Sequence, residues 1–232
     1  MPVMFSNPPS TAAAERAASP GSAYSRAEEV ASAATHGLGA LTAPVGLVLL
    51  VVQASRRGGA WHLGSAVVYG ITMVLLFGAS TLYHGVAAPR AKHLLKIFDH
   101  AAIYLLIAGS YTPFTLITLR PRGGLALFAV IWGCAFTGVA LEACWVYRPK
   151  WLSALVYVAM GWLIIFMIKP LVAALAPGGL WLLFGGGLCY TLGTAFYALK
   201  GVRYMHAVWH LFVLGGGVCH FLSVLLFVMP AR

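Results

Sequence analysis

Seven long apolar runs limit this chain to very few folds, because each run is close to the length that crosses a lipid bilayer. A membrane-spanning helix needs about 20 mostly apolar residues. Short breaks that carry Gly, Pro, Arg or Lys separate the runs, which are Gly37–Ala54, Leu63–Ala88, Ile97–Leu119, Gly124–Trp145, Trp151–Leu175, Gly178–Leu199 and Ala207–Val228. The pattern predicts an integral membrane protein with seven transmembrane helices.

The composition excludes a water-soluble fold. The chain has 232 residues, of which 61% are hydrophobic and 9% charged, whereas soluble domains carry about 25% charged residues. One soluble core of this size could not bury so much apolar surface. Within a bilayer the backbone must be hydrogen-bonded in helices or in a closed barrel, and barrel strands would alternate in polarity over ~10 residues. The unbroken runs therefore favour an all-α bundle of seven transmembrane helices.

The runs leave room for one membrane domain, which we place at residues 31–232. Residues 1–30 are rich in Ala, Ser and Pro and lack the apolar stretch of a signal peptide. We expect these residues to form a disordered tail. The fifth run contains Lys169 and Pro170 near its end, and the proline predicts a kink or an early helix end.

Loop charges predict the orientation. Seven spans place nine basic residues on the side of the N-terminus, namely Arg16, Arg26, Arg90, Lys92, Lys96, Arg148, Lys150, Lys200 and Arg203. The other side has six, namely Arg56, Arg57, Arg120, Arg122, Lys169 and Arg232. The positive-inside rule then predicts a cytoplasmic N-terminus and an outside C-terminus. Lipid headgroups account for the net charge of +10 without a nucleic-acid partner.

Ionisable residues inside the runs are the best candidates for function, because burying them in a membrane is costly. Ser80-x-x-x-His84 lies near the end of the second run, and Asp99 lies at the start of the third. His206-x-x-x-His210 opens the seventh, and residues four apart share one helix face. An odd number of spans brings all three segments to the same end of the bundle, so these five side chains are expected at one depth.

Three imidazoles with a nearby carboxylate suit Zn²⁺. A catalytic zinc site has three protein ligands and an open position for water, and we expect His84, His206 and His210 to be the ligands. Zinc lowers the pKa of bound water toward ~7. Asp99 could act as a base toward that water or bind through it, and Ser80 could orient the water or a substrate oxygen.

The other polar residues receive other assignments. His62 and His93 are expected in loops, His100 is expected to be structural, and His220 to bond between helices, ~15 Å deeper than His210. Glu28, Glu29 and His36 either line the cavity mouth or lie at the interface. Glu142 is expected near the cytoplasmic end of the fourth helix, where it meets Arg148 or lipid headgroup water. The four cysteines, Cys134, Cys144, Cys189 and Cys219, lie inside the runs and predict core positions without disulfides.

Four segments give the sequence a resemblance to a known family. They are ATHGLGA (34–40), STLYHG (80–85), FDHAAIYLLIAGSYTPF (98–114) and HAVWHLFVLGGGVCHF (206–221). They resemble the haemolysin III family, which is grouped with the progestin and adiponectin receptors and the alkaline ceramidases. The resemblance implies seven helices with a cytoplasmic N-terminus, zinc on His84, His206 and His210, and Ser80 and Asp99 near the zinc-bound water. It also implies that the protein is located in a bacterial inner membrane. Ser32 stands where the family's opening motif is expected to have Asn.

Two functions fit these residues. The first is a zinc-dependent hydrolase of a lipid amide or a related lipid bond, with membrane lipids as substrate and partners. The second is a non-enzymatic protein with structural zinc, either a regulator of lipid homeostasis, a receptor-like sensor or a cytolytic pore. The substrate and the oligomeric state stay open.

Two further seven-helix classes are excluded. A retinal protein needs a lysine in its seventh helix, and Ala207–Val228 has none. A G-protein-coupled receptor would have its N-terminus outside, against the charge count.

Overall fold

The computed structural model describes residues 24–57, 59–145, 149–199 and 202–229, and the regular structure in these ranges is helical throughout. Seven of the described helices are long and apolar enough to cross a membrane, so the predicted all-α fold with seven spans is confirmed. The helices are α1 (Arg26–Arg57), α2 (Ala60–Gly85), α3 (Pro89–Pro113), α4 (Gly124–Cys144), α5 (beginning as Lys150–Gly161), α6 (Pro177–Ala198) and α7 (Met205–Ser223).

Several helices continue beyond these bounds in other helical forms. A π-helical turn, Phe114–Thr118, extends α3, and a second one, Val224–Val228, extends α7. A short 3₁₀ turn, Arg120–Arg122, precedes α4. The fifth span passes from Lys150–Gly161 through a 3₁₀ segment, Leu163–Met167, into a last α-helical segment, Ile168–Ala174.

Helices α1 and α3 begin well before their apolar runs do. Helix α1 begins at Arg26, inside the range predicted as tail, because Ser25 and Glu28 form a capping box. The Glu28 carboxylate accepts from the Ser25 N–H at 3.0 Å, and the Glu28 N–H lies 3.4 Å from the Ser25 hydroxyl. Helix α3 begins at Pro89, a residue suited to the first helical position. Residues 1–23 of the predicted tail lie outside the described residues.

The predicted kink in the fifth span lies just upstream of Pro170. The proline ring conflicts with the carbonyl of residue 166, four positions earlier, and that residue lies in the 3₁₀ segment. The Tyr111 hydroxyl supports the break: it donates to the Gly161 carbonyl at 2.7 Å and accepts from the Ile164 N–H at 3.0 Å. A tyrosine of α3 thus replaces backbone bonds that the helix has lost.

Glycines let α2 and α3 approach closely, as small residues do in membrane bundles. A Cβ atom on Gly109 of α3 would lie 2.0 Å from the Thr72 hydroxyl of α2. Gly78 of α2 faces open space, because a Cβ there would meet no atom within 4 Å.

These two glycines give a matched pair of substitutions. We expect Gly109→Ala to lower the free energy of unfolding in detergent by about 1–3 kcal/mol through overpacking. Gly78→Ala should raise it by about 0.5–1 kcal/mol, because alanine favours a helix over glycine. Thermal unfolding of both variants checks the sign, and a shift in the same direction for both would contradict the packing.

Large apolar side chains cover the outside of the bundle, among them Leu41, Phe166 and Trp181. Such exposure suits a surface that faces lipid. Cys134 and Cys144 lie on this surface rather than in the core, so the core prediction is wrong for both: a lipid-facing position is as apolar as a core one. The four cysteines are free, as predicted.

The beginnings of α1, α3 and α7 meet the end of α2 at one end of the bundle, here called the N-terminal end. Helix α1 packs against α2 and α7, and α2 packs against α3. The candidate ligands on α2 and α7 therefore reach the same place, with α1 and α3 beside them.

Candidate metal centre

Three histidines converge at the N-terminal end of the bundle. One ring nitrogen each of His84, His206 and His210 lies within 4.8 Å of the corresponding atoms of the other two. The Nε2 atoms of His84 and His206 are 3.2 Å apart. Two ligands at ~2.0–2.1 Å from a tetrahedral ion would be separated by about 3.3 Å. The three predicted ligands therefore form a triad that could bind a metal ion.

A carboxylate on α1 orients His84. The Nδ1 atom of His84 lies 2.6 Å from Oε2 of Glu29, and the other Glu29 oxygen lies 2.8 Å from the Lys92 ammonium. A hydrogen bond from Nδ1–H to a carboxylate leaves Nε2 as the metal-binding atom. Lys92 belongs to α3, so three helices contribute to holding one imidazole.

Backbone and hydroxyl oxygens of α1 orient His210 in the same way. Its Nδ1 lies 3.1 Å from the Ser32 carbonyl and 3.3 Å from the Thr35 hydroxyl. An Nδ1–H donated to that carbonyl again leaves Nε2 for a metal. Residue 32 makes this contact through its main chain, so the serine found there in place of the expected asparagine leaves it intact.

Two aromatic rings stack on histidines of the triad. His36 stacks on His210 with ring centroids 3.6 Å apart, and Tyr24 stacks on His206 at 4.9 Å. Burial raises the pKa of Tyr24 above its ordinary value, and the carboxylates of Glu29, Glu28 and Asp99 act in the same direction. The Tyr24 ring thus covers His206 as a neutral phenol. The His36 ring is buried, and neither of its nitrogens has a hydrogen-bond partner among the residues that the structure describes.

Ser80 and Asp99 line a cavity that begins beside the triad. The same cavity is lined by His36, His206 and His210. The Ser80 hydroxyl is fully buried and has no hydrogen-bond partner within the described ranges, and the Asp99 side chain is buried near the start of α3. Four of the five predicted site residues, Ser80, Asp99, His206 and His210, therefore line one cavity, and His84 adjoins it through its contact with His206.

The sequence did not decide the roles of three residues on α1. Glu29 and His36 contact the triad, whereas Glu28 caps α1 and accepts from the Tyr204 N–H at 3.1 Å. Glu29, Ser32 and His36 are spaced three and four residues apart, so they lie on one face of α1. This spacing could have predicted that the three residues contact the same site.

Other sequence assignments are corrected or confirmed by the contacts. His62 lies in the first turn of α2 and His93 in the second turn of α3, rather than in loops, because both helices begin before their apolar runs. His220 bonds between helices as predicted, with Nε2 3.1 Å from the Leu183 carbonyl of α6.

Glu142 is not at a headgroup surface. It is fully buried, with Oε2 3.6 Å from His100 Nδ1 and Oε1 accepting from the Tyr157 hydroxyl at 3.3 Å. Arg148, its predicted partner, lies outside the described residues. His100 also lines the cavity.

The arrangement provides three nitrogen donors, two of them held by outward hydrogen bonds, and a carboxylate facing the same space. Such a site can hold a transition metal with an open position. A water molecule or a substrate oxygen could enter from the cavity.

Comparisons with known proteins agree with this architecture. The sequence profile of the family described as "Haemolysin-III related" matches residues 24–221. The chain is 46% identical over 203 residues to "Hemolysin-3" of Bacillus cereus, covering 88% of this chain and 93% of that protein. It is 44% identical over 200 residues to the "Hemolysin-3 homolog" of Bacillus subtilis, covering 86% and 94%. It is 29% identical over 205 residues to the human "Monocyte to macrophage differentiation factor", covering 85% and 83%.

Proposed function

Since this chain belongs to the haemolysin-III related family, we propose that it is an integral membrane hydrolase that holds Zn²⁺ and cleaves an amide or related bond of a lipid. The observation that carries the proposal is the histidine triad at the head of a cavity beside Asp99 and Ser80. A purely structural zinc site would be closed by a fourth protein ligand, and the triad offers three.

The donor set favours zinc over magnesium and calcium. Imidazole nitrogens suit zinc, whereas magnesium and calcium prefer oxygen ligands. His84, His206 and His210 would hold the ion. Bound zinc would act as a Lewis acid and lower the pKa of water, which makes water nucleophilic near neutral pH.

The chain's own polar groups would carry out the proton transfers. The Asp99 carboxylate would accept a proton from the attacking water and return it to the leaving amine. The Ser80 hydroxyl has no hydrogen-bond partner among the described residues, so it can donate a hydrogen bond to the substrate's carbonyl oxygen. The hydrogen bonds of Glu29 and of the Ser32 carbonyl would keep His84 and His210 oriented throughout.

The cavity suits a lipid chain. Beyond the triad its lining includes Leu76, Ile103, Ile107 and Val213, which can solvate a hydrocarbon chain. In this proposal the protein lies in a bacterial inner membrane, with the N-terminal end of the bundle facing the cytoplasm. The loop charges support this orientation, because seven spans place nine basic residues on that side and six on the other. A membrane lipid would then place its head at the triad and its chain inside the bundle.

The test is hydrolysis by the purified full chain in nanodiscs. Zinc-loaded protein is incubated with an N-acyl sphingoid base and with a matched lipid ester, and the released fatty acid is measured by mass spectrometry. We expect release that stops on chelation and returns with added zinc. If zinc-loaded protein leaves all these lipids intact, the hydrolase proposal is wrong.

A second candidate is a cytolytic protein with structural zinc, which the name of the Bacillus cereus relative, "Hemolysin-3", favours. A pore needs polar residues through its full depth, whereas the described ionisable groups of the cavity gather at the N-terminal end, with His220 deeper. Dye leakage from liposomes by pure protein, undiminished in His206→Ala, would support this candidate over hydrolysis.

The contact between Glu29 and His84 gives a prediction on zinc affinity. In Glu29→Gln, the amide cannot serve both the His84 N–H and the Lys92 ammonium as an acceptor. We expect zinc affinity to fall about 10–100-fold, as is typical when such an orienting partner is lost. Competition with a fluorescent zinc chelator measures the change.

Glu28→Gln is the matched control, because Glu28 is the adjacent acid and contacts Tyr204 rather than the triad. We expect this variant to lose about 1 kcal/mol of stability through its cap and to keep its zinc affinity. Equal zinc affinities for wild type and Glu29→Gln would show that Glu29 does not orient His84 for zinc binding.

A further inference from the structure

The cavity has a second group of polar side chains at its far end. His220 lies ten residues beyond His210 on α7, which corresponds to about 15 Å along a helix. Tyr190 of α6 and Ser110 of α3 line the cavity beside it. We call His220, Tyr190 and Ser110 the deep polar cluster.

His220 has one nitrogen available to a ligand. Its Nε2 lies 3.1 Å from the Leu183 carbonyl, and its buried Nδ1 has no hydrogen-bond partner in the part of the chain that the structure describes. Because a carbonyl can only accept, Nε2 carries the proton and Nδ1 is an acceptor. Gly186 makes room for the ring, since a Cβ there would lie 2.4 Å from His220 Cδ2. The backbone is therefore shaped around an imidazole whose acceptor is unused.

Tyr190 supplies the complementary donor. Its ring meets the His220 ring edge to face, with centroids 5.3 Å apart, and its hydroxyl lies next to Gly217 of α7. The Ser110 hydroxyl donates to the Ile107 carbonyl at 2.8 Å, so its oxygen can accept. The cluster thus presents acceptors and a donor, which is the combination that a hydroxyl group satisfies.

Neighbouring polar groups are already engaged. The Tyr111 hydroxyl supports the break in α5, as described above. The Thr191 hydroxyl donates to the Gly187 carbonyl at 2.8 Å and accepts from Trp162 Nε1 at 2.9 Å. Buried polar groups left unpaired are costly, so the unused nitrogen of His220 points to a ligand.

We infer that the deep polar cluster binds a hydroxyl on the chain of a long-chain lipid whose head lies at the triad. The position of the head rests on the proposed function. A hydrocarbon chain advances about 1.25 Å per bond, from a ~1.52 Å bond and a ~111° angle. The ~15 Å between the two ends of the cavity then corresponds to about 12 bonds. The preferred ligand is therefore a mid-chain hydroxylated lipid rather than a plain one.

The test compares the binding of fatty acids to the purified full chain, with no turnover involved. Trp162 and Trp209 line the cavity, so tryptophan fluorescence can report binding. Three probes are used: octadecanoate, an isomer with a hydroxyl at about carbon 12, and an isomer with the hydroxyl near the carboxylate. The spacing between the triad and the cluster favours the position near carbon 12. We expect about fivefold tighter binding of the mid-chain hydroxyl isomer alone, the ratio that one net hydrogen bond gives.

Two tyrosine variants form a matched pair. Tyr190→Phe should remove the preference for the mid-chain hydroxyl while leaving the affinity for octadecanoate within about twofold. Tyr157→Phe, which changes a cavity tyrosine already bonded to Glu142, should keep the preference. Equal affinities of wild type for octadecanoate and the mid-chain isomer would overturn the inference, as would an unchanged preference in Tyr190→Phe.

The outcome is separable from that of the proposed function. The preference is measured by the binding of fatty acids, which have no amide or ester bond to cleave, so it does not depend on turnover. A hydroxyl preference without any hydrolysis would contradict only the hydrolase. Hydrolysis without a hydroxyl preference would contradict only the deep polar cluster.

Discussion

Replacing His206 with alanine is expected to reduce bound zinc from about one ion per chain to near zero after dialysis. A zinc ion held by four ligands is bound by about 10–16 kcal/mol, so one ligand accounts for about 3 kcal/mol, or more than a hundredfold in Kd. His206 is the best ligand to remove, because it is only half-buried whereas His84 and His210 are buried. Elemental analysis of the purified variant gives the zinc content, and the hydrolysis of lipid amides should disappear with the zinc.

His62→Ala is the matched control. This histidine lies in the first turn of α2, at the opposite end of that helix from His84. We expect it to retain zinc at the level of wild type. If His206→Ala kept its full zinc content while folding normally, the triad would not be the zinc site.

Replacing Asp99 with asparagine should separate zinc binding from catalysis. The amide has nearly the shape of the carboxylate but cannot accept a proton. We expect the rate of lipid amide hydrolysis to fall about 10²–10⁴-fold, the range for loss of a general acid–base group. The zinc content should stay near one ion per chain, because the three imidazoles are unchanged. Paired assays of turnover and metal content on one preparation measure both.

Glu142→Gln provides the comparison for Asp99. Glu142 is also a buried acid, but its contacts are with His100 and Tyr157 rather than with the triad. We expect it to affect stability more than turnover. A rate in Asp99→Asn within a few-fold of wild type would remove Asp99 from the mechanism, and a loss of zinc in that variant would make Asp99 a ligand.

Helix direction explains why the triad was predictable from the sequence. Hydrophobicity alone gives seven spans, and seven spans fix the end of the bundle at which each helix begins. The spacing of His206 and His210 places both on one face, and the end of α2 brings His84 to the same depth. These steps need only the length and direction of each helix.

The contacts of Glu29 could not be predicted in this way. Its bond to His84 depends on how α1 is rotated against α2, and the packing of their surfaces sets that rotation. The capping box of Ser25 and Glu28 can be recognised in the sequence. A prediction based on apolar runs misses it, because the first turn of this helix is polar. The burial of Glu142 was missed for a related reason. The apolar run that predicts α4 does not indicate which face of the helix, near its end, packs against a neighbouring helix.

The most direct test of an open three-histidine zinc site is X-ray absorption at the zinc edge on the purified full chain. We predict three imidazole nitrogens and one oxygen at about 2.0–2.1 Å from zinc. The same spectrum for His206→Ala should show no zinc above background. A sulfur neighbour at about 2.3 Å, or four nitrogens with no oxygen, would contradict the site proposed for this protein.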